Sequence, residues 1–557
     1  MKKYLSVLLI LIMLLTLCTG LATAEGSGEK RVLTIGTTLD LTNFWEFDVY
    51  KKVQEELNMT IDCTLYNEDS FNTMLASGDL PDIVIGKNIM NLVLGNNLAL
   101  DYAPYLEEYA PSMLSEAYRP TLEFSQKMMS DEKGGLYIIC PCVGIHQYMG
   151  GTHLPTRGYI VHWEYYKELG CPPINNDDEY IDVLYRMHQN HPTTEDGSPT
   201  YLMGVEKSLT DMGGYRACFT RDISLNTWCP YFFKNNIFTN ELVDCYTDYE
   251  RSSYWCDMAF YNKIHRMGLF DIDSFTMTYD EYKAKRQKSQ YMGLYFGGGP
   301  TYVAVPSNGT NIYSNVLMLT GQAPTYLSFI SANSPNYDLA LRFYNYVYDV
   351  DFQRVAYSGV QRKDWDYDEN GVPNMTAQAI ADRAASTEYW TFGGNGYGFR
   401  LYVISGYNPA VLATDGYPID LSFMPEARIA VQSEVQLDVA KTYGVEHWYD
   451  AYTQMEGFRD FRNSGEGIAA ALSDMPMDMR RTLETCNDIL YTSMPRLITA
   501  ETEEEFIQLR DEVIAEILSV GEQEVWEWYK VAWETPKELY NKYIAEALAE
   551  VGMEMYK

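Results

Sequence analysis

Cys140, Cys142, His146 and His153 lie close together in the chain and carry soft donors. Four such ligands could hold a zinc ion. The C-x-C spacing sets both thiols on one face of an extended segment, and Pro141 stiffens it, which argues against their closing on one metal. Asp366-Tyr367-Asp368-Glu369-Asn370-Gly371 copies the first half of an EF-hand loop, with Asp366, Asp368 and Asn370 as calcium ligands. The closing bidentate carboxylate is missing, because Ala377 stands there, and Asn370-Gly371 is a hairpin-turn signal. The segment reads as a turn, and no metal or cofactor is expected. His188 and His191 read as solvated or capping residues near a helix end. The glycines at 297–299 and 393–398 lack both the Lys-Ser/Thr of a phosphate loop and the dinucleotide spacing, so they suit tight turns or close approach to a ligand. There is no G-x-S-x-G elbow and no H-E-x-x-H motif. A glycosidase needs two placed carboxylates, and among 77 acidic residues no pair is singled out. No catalytic residue is expected, and the chain is read as a non-enzyme.

The composition points to contact rather than catalysis. Aromatic residues make up 14% of the 557, with 47 Tyr among them. A phenol offers a flat apolar face and a hydroxyl, which suits amphipathic ligands such as sugars as well as half-buried packing. A formal charge of −35 repels phosphate backbones and excludes nucleic acid as a general partner. Lys2-Lys3, the apolar run from Leu5 to Leu17 and Ala22-Thr23-Ala24 read as a secretory signal peptide over 1–24, so an exported, extracellular or cell-surface protein is expected. Cys18 stands where a lipidated cysteine would, but Leu17 replaces the small residue of a lipobox, so a lipid anchor and cleavage after Ala24 both stay open. An anchor would be the only membrane contact. With Cys18 set apart, nine irregularly spaced cysteines give no disulfide framework, and isolated buried thiols are the default.

Those residues need elements to position them. Residues 31–36, 59–65 and 81–86 alternate as strands with helical stretches at 47–57 and 71–77, the order of a parallel α/β sheet. Ligands bind beyond the carboxyl ends of such strands. A further strand at 136–143 leads into a Gly-rich passage, 144–158, which reads as a crossover. Strand and helix then restart at 159–169. An apolar stripe predicts a helix over 335–355, and two long helices are expected at about 502–519 and 521–548.

Several strings, in this order, resemble the family 1 extracellular solute-binding proteins of carbohydrate ABC transporters. Met74-Leu75-Ala76-Ser77-Gly78-Asp79-Leu80-Pro81-Asp82-Ile83 is similar to the family's "ASGDLPDI" segment. Lys133 to Ile139, Val161 to Gly170, Ile330-Ser331 to Tyr348, Gly359 to Gly371 and Ala500 to Trp526 resemble its later signatures. The type most resembled is the large Gram-positive one labelled LipO or aldouronate-binding. The chain departs at the lipobox and at Gln361-Arg362, where the family often has Glu-Gly.

The resemblance implies an α/β, periplasmic-binding-protein-like fold of type II, with two lobes joined by hinge crossovers around a ligand cleft. Residues 25–150 and 301–355 would form lobe 1, and 151–300 and 356–557 lobe 2. It implies that the protein captures an oligosaccharide by lobe closure and delivers it to an ABC permease, as a monomer. Placed at loop ends facing such a cleft, the ligand contacts would be Asn43, Phe44, Trp45, Lys87, Asn88, Trp163, Phe296, Trp365, Trp390 and Tyr397. An acidic sugar would call on Arg157, Arg216, Arg221, Arg362 or Arg400. A secreted carbohydrate-active enzyme, a surface adhesin, a sensor component and a peptide ligand remain the alternatives.

Overall fold

A computed structural model describes residues 30–41, 44–46, 48–86, 89–116, 118–130, 134–140, 142–143, 158–208, 213–214, 216–218, 220–224, 232–297, 301–306, 312–313, 327–384, 406–407, 411–456, 460–461, 468, 472 and 475–550. The chain opens with β1 (Arg31–Thr37), α1 (Asp48–Glu56), β2 (Met59–Leu65), α2 (Glu68–Ser77) and β3 (Ile83–Gly86). β1 pairs in parallel with both β2 and β3, as the alternating pattern predicts. Asn67 caps α2 by accepting from the Ser70 amide, and Gly78 ends it in the left-handed region that a Cβ disfavours. The chain continues through α3 (Arg119–Met128) and β4 (Cys142–Val143) to β5 (Ile160–His162), α4 (Trp163–Glu168) and α5 (Asp177–Asn190). Next come β6 (Phe233–Asn235), β7 (Leu242–Asp244), α6 (Ser253–Arg266), β8 (Gly293–Leu294), β9 (Tyr302–Ala304) and β10 (Ile312–Tyr313). β11 (Leu327–Ile330) returns to the first sheet, antiparallel to β3, giving the order β11-β3-β1-β2. β5 is the centre of a second sheet, β8-β5-β9, and pairs antiparallel with both neighbours.

Side chains alternate across the first sheet. Ile83 and Ile85 enter one core with Leu33, Ile35 and the helix α7 (Tyr337–Val347). Val84 enters the other with Phe71, Met74 and Leu75 of α2. A hydrogen-bond knot on Asp82, which is 5% exposed, pins the sheet together. Its carboxylate accepts from the Thr34 amide at 2.9 Å, the Thr34 hydroxyl at 2.8 Å and the Ser334 hydroxyl at 2.6 Å, and from the Asn336 amide. The Ser331 hydroxyl donates to the Pro81 carbonyl. Two of the family-like strings, 74–83 and 330–348, are thus partners in space and structural in role.

The later chain comprises α8 (Val350–Ser358), the hairpin β12 (Trp365–Tyr367) and β13 (Pro373–Met375), β14 (Gly406–Tyr407), α9 (Glu434–Tyr443) and β15 (Asp460–Phe461). It ends in three long helices, α10 (Met477–Ile498), α11 (Glu503–Ser519) and α12 (Glu522–Glu550). In the hairpin turn the Asp368 carboxylate accepts from the Asn370 and Val372 amides, and Gly371 takes φ 78°. The turn expected there is present. The lobe boundary expected at 355/356 is crossed by packing. Val411, Ala413 and Ile419 sit in the core of the first sheet. The cause is Arg354, 3% exposed on α8, which pairs with Asp415 and donates to the Tyr417 and Pro418 carbonyls. Phe124 of α3 also meets Tyr540 of α12, joining the first half of the chain to its last helix.

Candidate functional site

The strand directions show which ends of the two sheets the chain connects. β11 runs antiparallel to β3 with Leu327 opposite Gly86, so the segment entering β11 arrives at the carboxyl ends of β1, β2 and β3. Ile139 pairs antiparallel with Ser328, so the segment that continues to β4 leaves from that same end. In the second sheet Ile160 lies opposite Ala304, and the Val305 amide donates to the Tyr159 carbonyl at 2.9 Å. Both connections between the sheets therefore leave adjacent strand ends and enter adjacent strand ends. Each gains a partner from the later chain: β4 pairs in parallel with β14, and β10 with β15. The connections thus link the carboxyl ends of β1–β3 with the Tyr159 end of β5.

Beside that end of β5 lies a cavity of about 360 Å³, lined by Tyr159, Asn175, Asn176, Asp177, Asp178, Thr220 and Arg221. Its wall is held by Arg216, 2% exposed. The Arg216 guanidinium donates to Asp177 at 2.7 and 3.2 Å, sits 3.0 Å from Asp257 and lies 3.8 Å over the Phe260 ring. One cation thus serves two carboxylates. Burial opposes ionisation of Asp177, but Arg216 outweighs it and holds that carboxyl below its usual range. At Asp257, which is wholly buried, burial wins over Arg216 and pushes the carboxyl up. Asn176 caps α5 by accepting from the Glu179 amide, so the helix start is firm. The resulting wall carries amide, hydroxyl and carboxylate groups, one phenol and the Arg221 guanidinium, a set suited to hydroxyl-rich ligands.

Among solved structures, the chain is similar to a solute-binding protein of Bifidobacterium longum infantis described as HMO-binding and ABC-transporter-associated. The TM-score is 0.57 at 14% identity, covering 92% of this chain and 99% of that one. It is similar to the S. pneumoniae ABC-transporter substrate-binding protein FusA in complex with kestose, with TM-score 0.56, 14% identity and coverage of 93% and 100%. It is also similar to the N-glycan transport solute-binding protein NgtS of Streptococcus pneumoniae, with TM-score 0.52, 10% identity and coverage of 92% and 99%. The chain has the fold of an ABC-transporter solute-binding protein. No family model and no curated protein matches it. The expected α/β, type II binding-protein architecture is the one observed.

Within this solute-binding fold the expected contacts separate. Phe296 is half-buried and leaves β8 at the end where Leu294 faces Ile160, the crossover side. Trp163 follows the opposite end of β5. It is 1% exposed, donates to Asp438 at 2.6 Å and packs on Tyr166 and Tyr443. The strand preceding it runs away from the crossovers, so it joins α4 to α9 rather than facing a cleft. Phe44 and Trp45 are buried, with ring contacts to Tyr50 at 4.5 and 5.4 Å, and Trp45 also meets Phe343. The turn after β1 folds back on the sheet and draws these rings into the core. Trp365, 5% exposed, donates to the Gly359 carbonyl and packs beside Arg354. Asn43, Lys87, Asn88, Trp390 and Tyr397 lie outside the described residues, as do Arg157, Arg400, His146 and His153. Arg216 is enclosed by its two aspartates, which removes it from the cations open to an acidic sugar. Arg221 stands on the cavity wall, and Arg362 is exposed in the turn before β12. The sequence reading missed Tyr159 and Asn175–Asp178. The signal for them was an Asn-Asn-Asp-Asp helix start just after the crossover. Among the described residues no helix is long and apolar enough to cross a membrane, and no cluster of three or more metal-binding side chains occurs.

Proposed function

We propose that this chain is an extracellular substrate-binding protein that captures an oligosaccharide between its two sheets and delivers it to an ABC-transporter permease. The observation that carries this reading is the paired crossover: two connections join the same ends of two sheets, the geometry of a hinge beside a cleft. Binding energy across such a hinge drives closure. The reading is supported by the ligands named for proteins of the same fold, among them kestose and N-glycans. It is supported too by the aromatic content and by the polar cavity beside Tyr159. Phe296 is the described residue we assign to stacking, and Asn43, Lys87, Asn88, Trp390 and Tyr397, outside the described residues, are the further contacts proposed. The protein acts as a monomer without catalysis, is exported through residues 1–24, and belongs with the LipO or aldouronate-binding type; Cys18 is the residue a lipid would occupy.

The test is a thermal-shift panel of neutral, acidic and amino oligosaccharides on the folded mature chain, with reducing ends assayed in parallel. Stabilisation without new reducing ends supports capture. New reducing ends would favour an enzyme instead.

A further inference from the structure

Glu522 is the first residue of α12 and is 1% exposed. Its Oε1 is buried without a hydrogen-bond partner, and it forms no ion pair with a described residue. The titratable groups facing it are acidic. Asp244, 7% exposed at the end of β7, accepts from the Tyr246 amide at 2.9 Å and from the Thr247 hydroxyl. Cys486, fully buried on α10, is the second. Asp248 lies beyond Asp244, and Lys234 of β6 acts on neighbouring Cys245. Asp244 lies opposite Phe233 in the β6–β7 hairpin, the Phe233 ring sits 5.1 Å from Trp526 near the start of α12, and the Tyr246 hydroxyl donates to Asn487 next to Cys486, so the two carboxylates share the junction of β7, α10 and α12. Like charges in a dry site cannot both ionise cheaply.

The helix that starts here ties the molecule together. Trp533 donates to the Asn240 carbonyl at 2.8 Å, and the Asn240 side chain donates to Asn541 at 2.7 Å, holding α12 to the β6–β7 hairpin. Farther along, Tyr540 meets Phe124 of α3. We propose that Glu522 and Asp244 form a proton-controlled latch: the protonated Glu522 carboxyl keeps the start of α12 buried, and loss of that proton to solvent loosens α12 from the β6–β7 hairpin and from α3. Burial first, and Asp244 second, push the Glu522 carboxyl up to about 8. A carboxyl whose folded pKa is raised stabilises fully below its unfolded value of about 4.5 and loses that contribution as pH climbs toward 8.

The test is amide hydrogen exchange on the folded full-length mature chain at pH 6 and pH 9, corrected for intrinsic rates, with wild type and Glu522→Gln compared. One titrating proton lowers the docking constant by up to roughly tenfold per pH unit inside the window. Protection over 522–550 is expected to fall at least tenfold more than protection in β1–β3, and the Gln variant is expected to lose that difference. An equal change in both regions of the wild type would overturn the latch, whether or not the variant folds. So would a Gln variant that keeps the wild-type response.

Discussion

The knot on Asp82 and the knot on Arg216 do the same task by different chemistry. Asp82 is buried in the first sheet and is satisfied by a backbone amide, two hydroxyls and a side-chain amide. Arg216 is buried beside the second sheet and answers two carboxylates at once. Hydrogen bonds from uncharged donors can be lost one at a time. A cation between two acids cannot be removed without leaving buried charge unpaired. The first half is therefore built for stable register, and the second for a polar wall that depends on charge state.

The largest effect that would break this contrast comes from Arg216→Met. It leaves Asp177 and Asp257 without their cation and is expected to cost about 3–5 kcal/mol, read as a shift in urea midpoint at constant m-value. A loss below about 1 kcal/mol would mean that the pair of aspartates does not need the guanidinium.

Next is acid. His447 is buried, and its Nδ1 accepts from Arg428 at 3.1 Å. Burial first, then Arg428, lowers its pKa to about 3. A base with a depressed folded pKa contributes stability above its unfolded value, and that contribution is lost as pH falls from about 6.5 toward 3. The loss should reach on the order of 3 kcal/mol. Chemical denaturation across this range, with His447→Gln flattening the slope, is the check. An unchanged slope would remove His447 from the account.

Asp82→Ala strands several donors and should cost about 2–3 kcal/mol, with Asp82→Asn in between. Equal losses in both variants would show that the knot depends on charge rather than on acceptors. The smallest expected effect sharpens the site. Phe296→Ala should weaken oligosaccharide binding by about 1 kcal/mol with little change in folding, taking stacking on an aromatic face as the guide. Trp163→Phe should do the reverse, lowering stability by breaking the bond to Asp438 while leaving affinity unchanged in titration calorimetry.

The parallel pairing of the first three strands was legible because residues 31–36, 59–65 and 81–86 are short strand-like runs separated by helix starts and a Gly stop, whereas the strand order and the antiparallel place of β11 depend on long-range pairing. The reading of 366–371 as a turn was legible for a local reason, since Asx and Gly chemistry acts within a few residues. The cleft was legible only as a direction. Trp163, Phe44, Trp45 and Trp365 are large rings near strand ends, and sequence position says nothing of which way a strand runs from a crossover or whether a turn folds back on the core. Arg216 was visible as a cation. Its enclosure by Asp177 and Asp257, 39 residues before it and 41 after it, depends on tertiary contacts that no local pattern encodes. The packing of 411–419 on the first core was hidden for the same reason, because it follows from the carboxylate and carbonyls that buried Arg354 requires.

Capture of an oligosaccharide is the claim on which the rest turns, and thermal unfolding of the mature chain with and without oligosaccharides tests it most directly. A bound ligand at 100 times its dissociation constant should add about 2.7 kcal/mol of apparent stability, seen as a concentration-dependent rise in melting temperature. A flat response across neutral, acidic and amino oligosaccharides, in a chain that unfolds cooperatively, would contradict it.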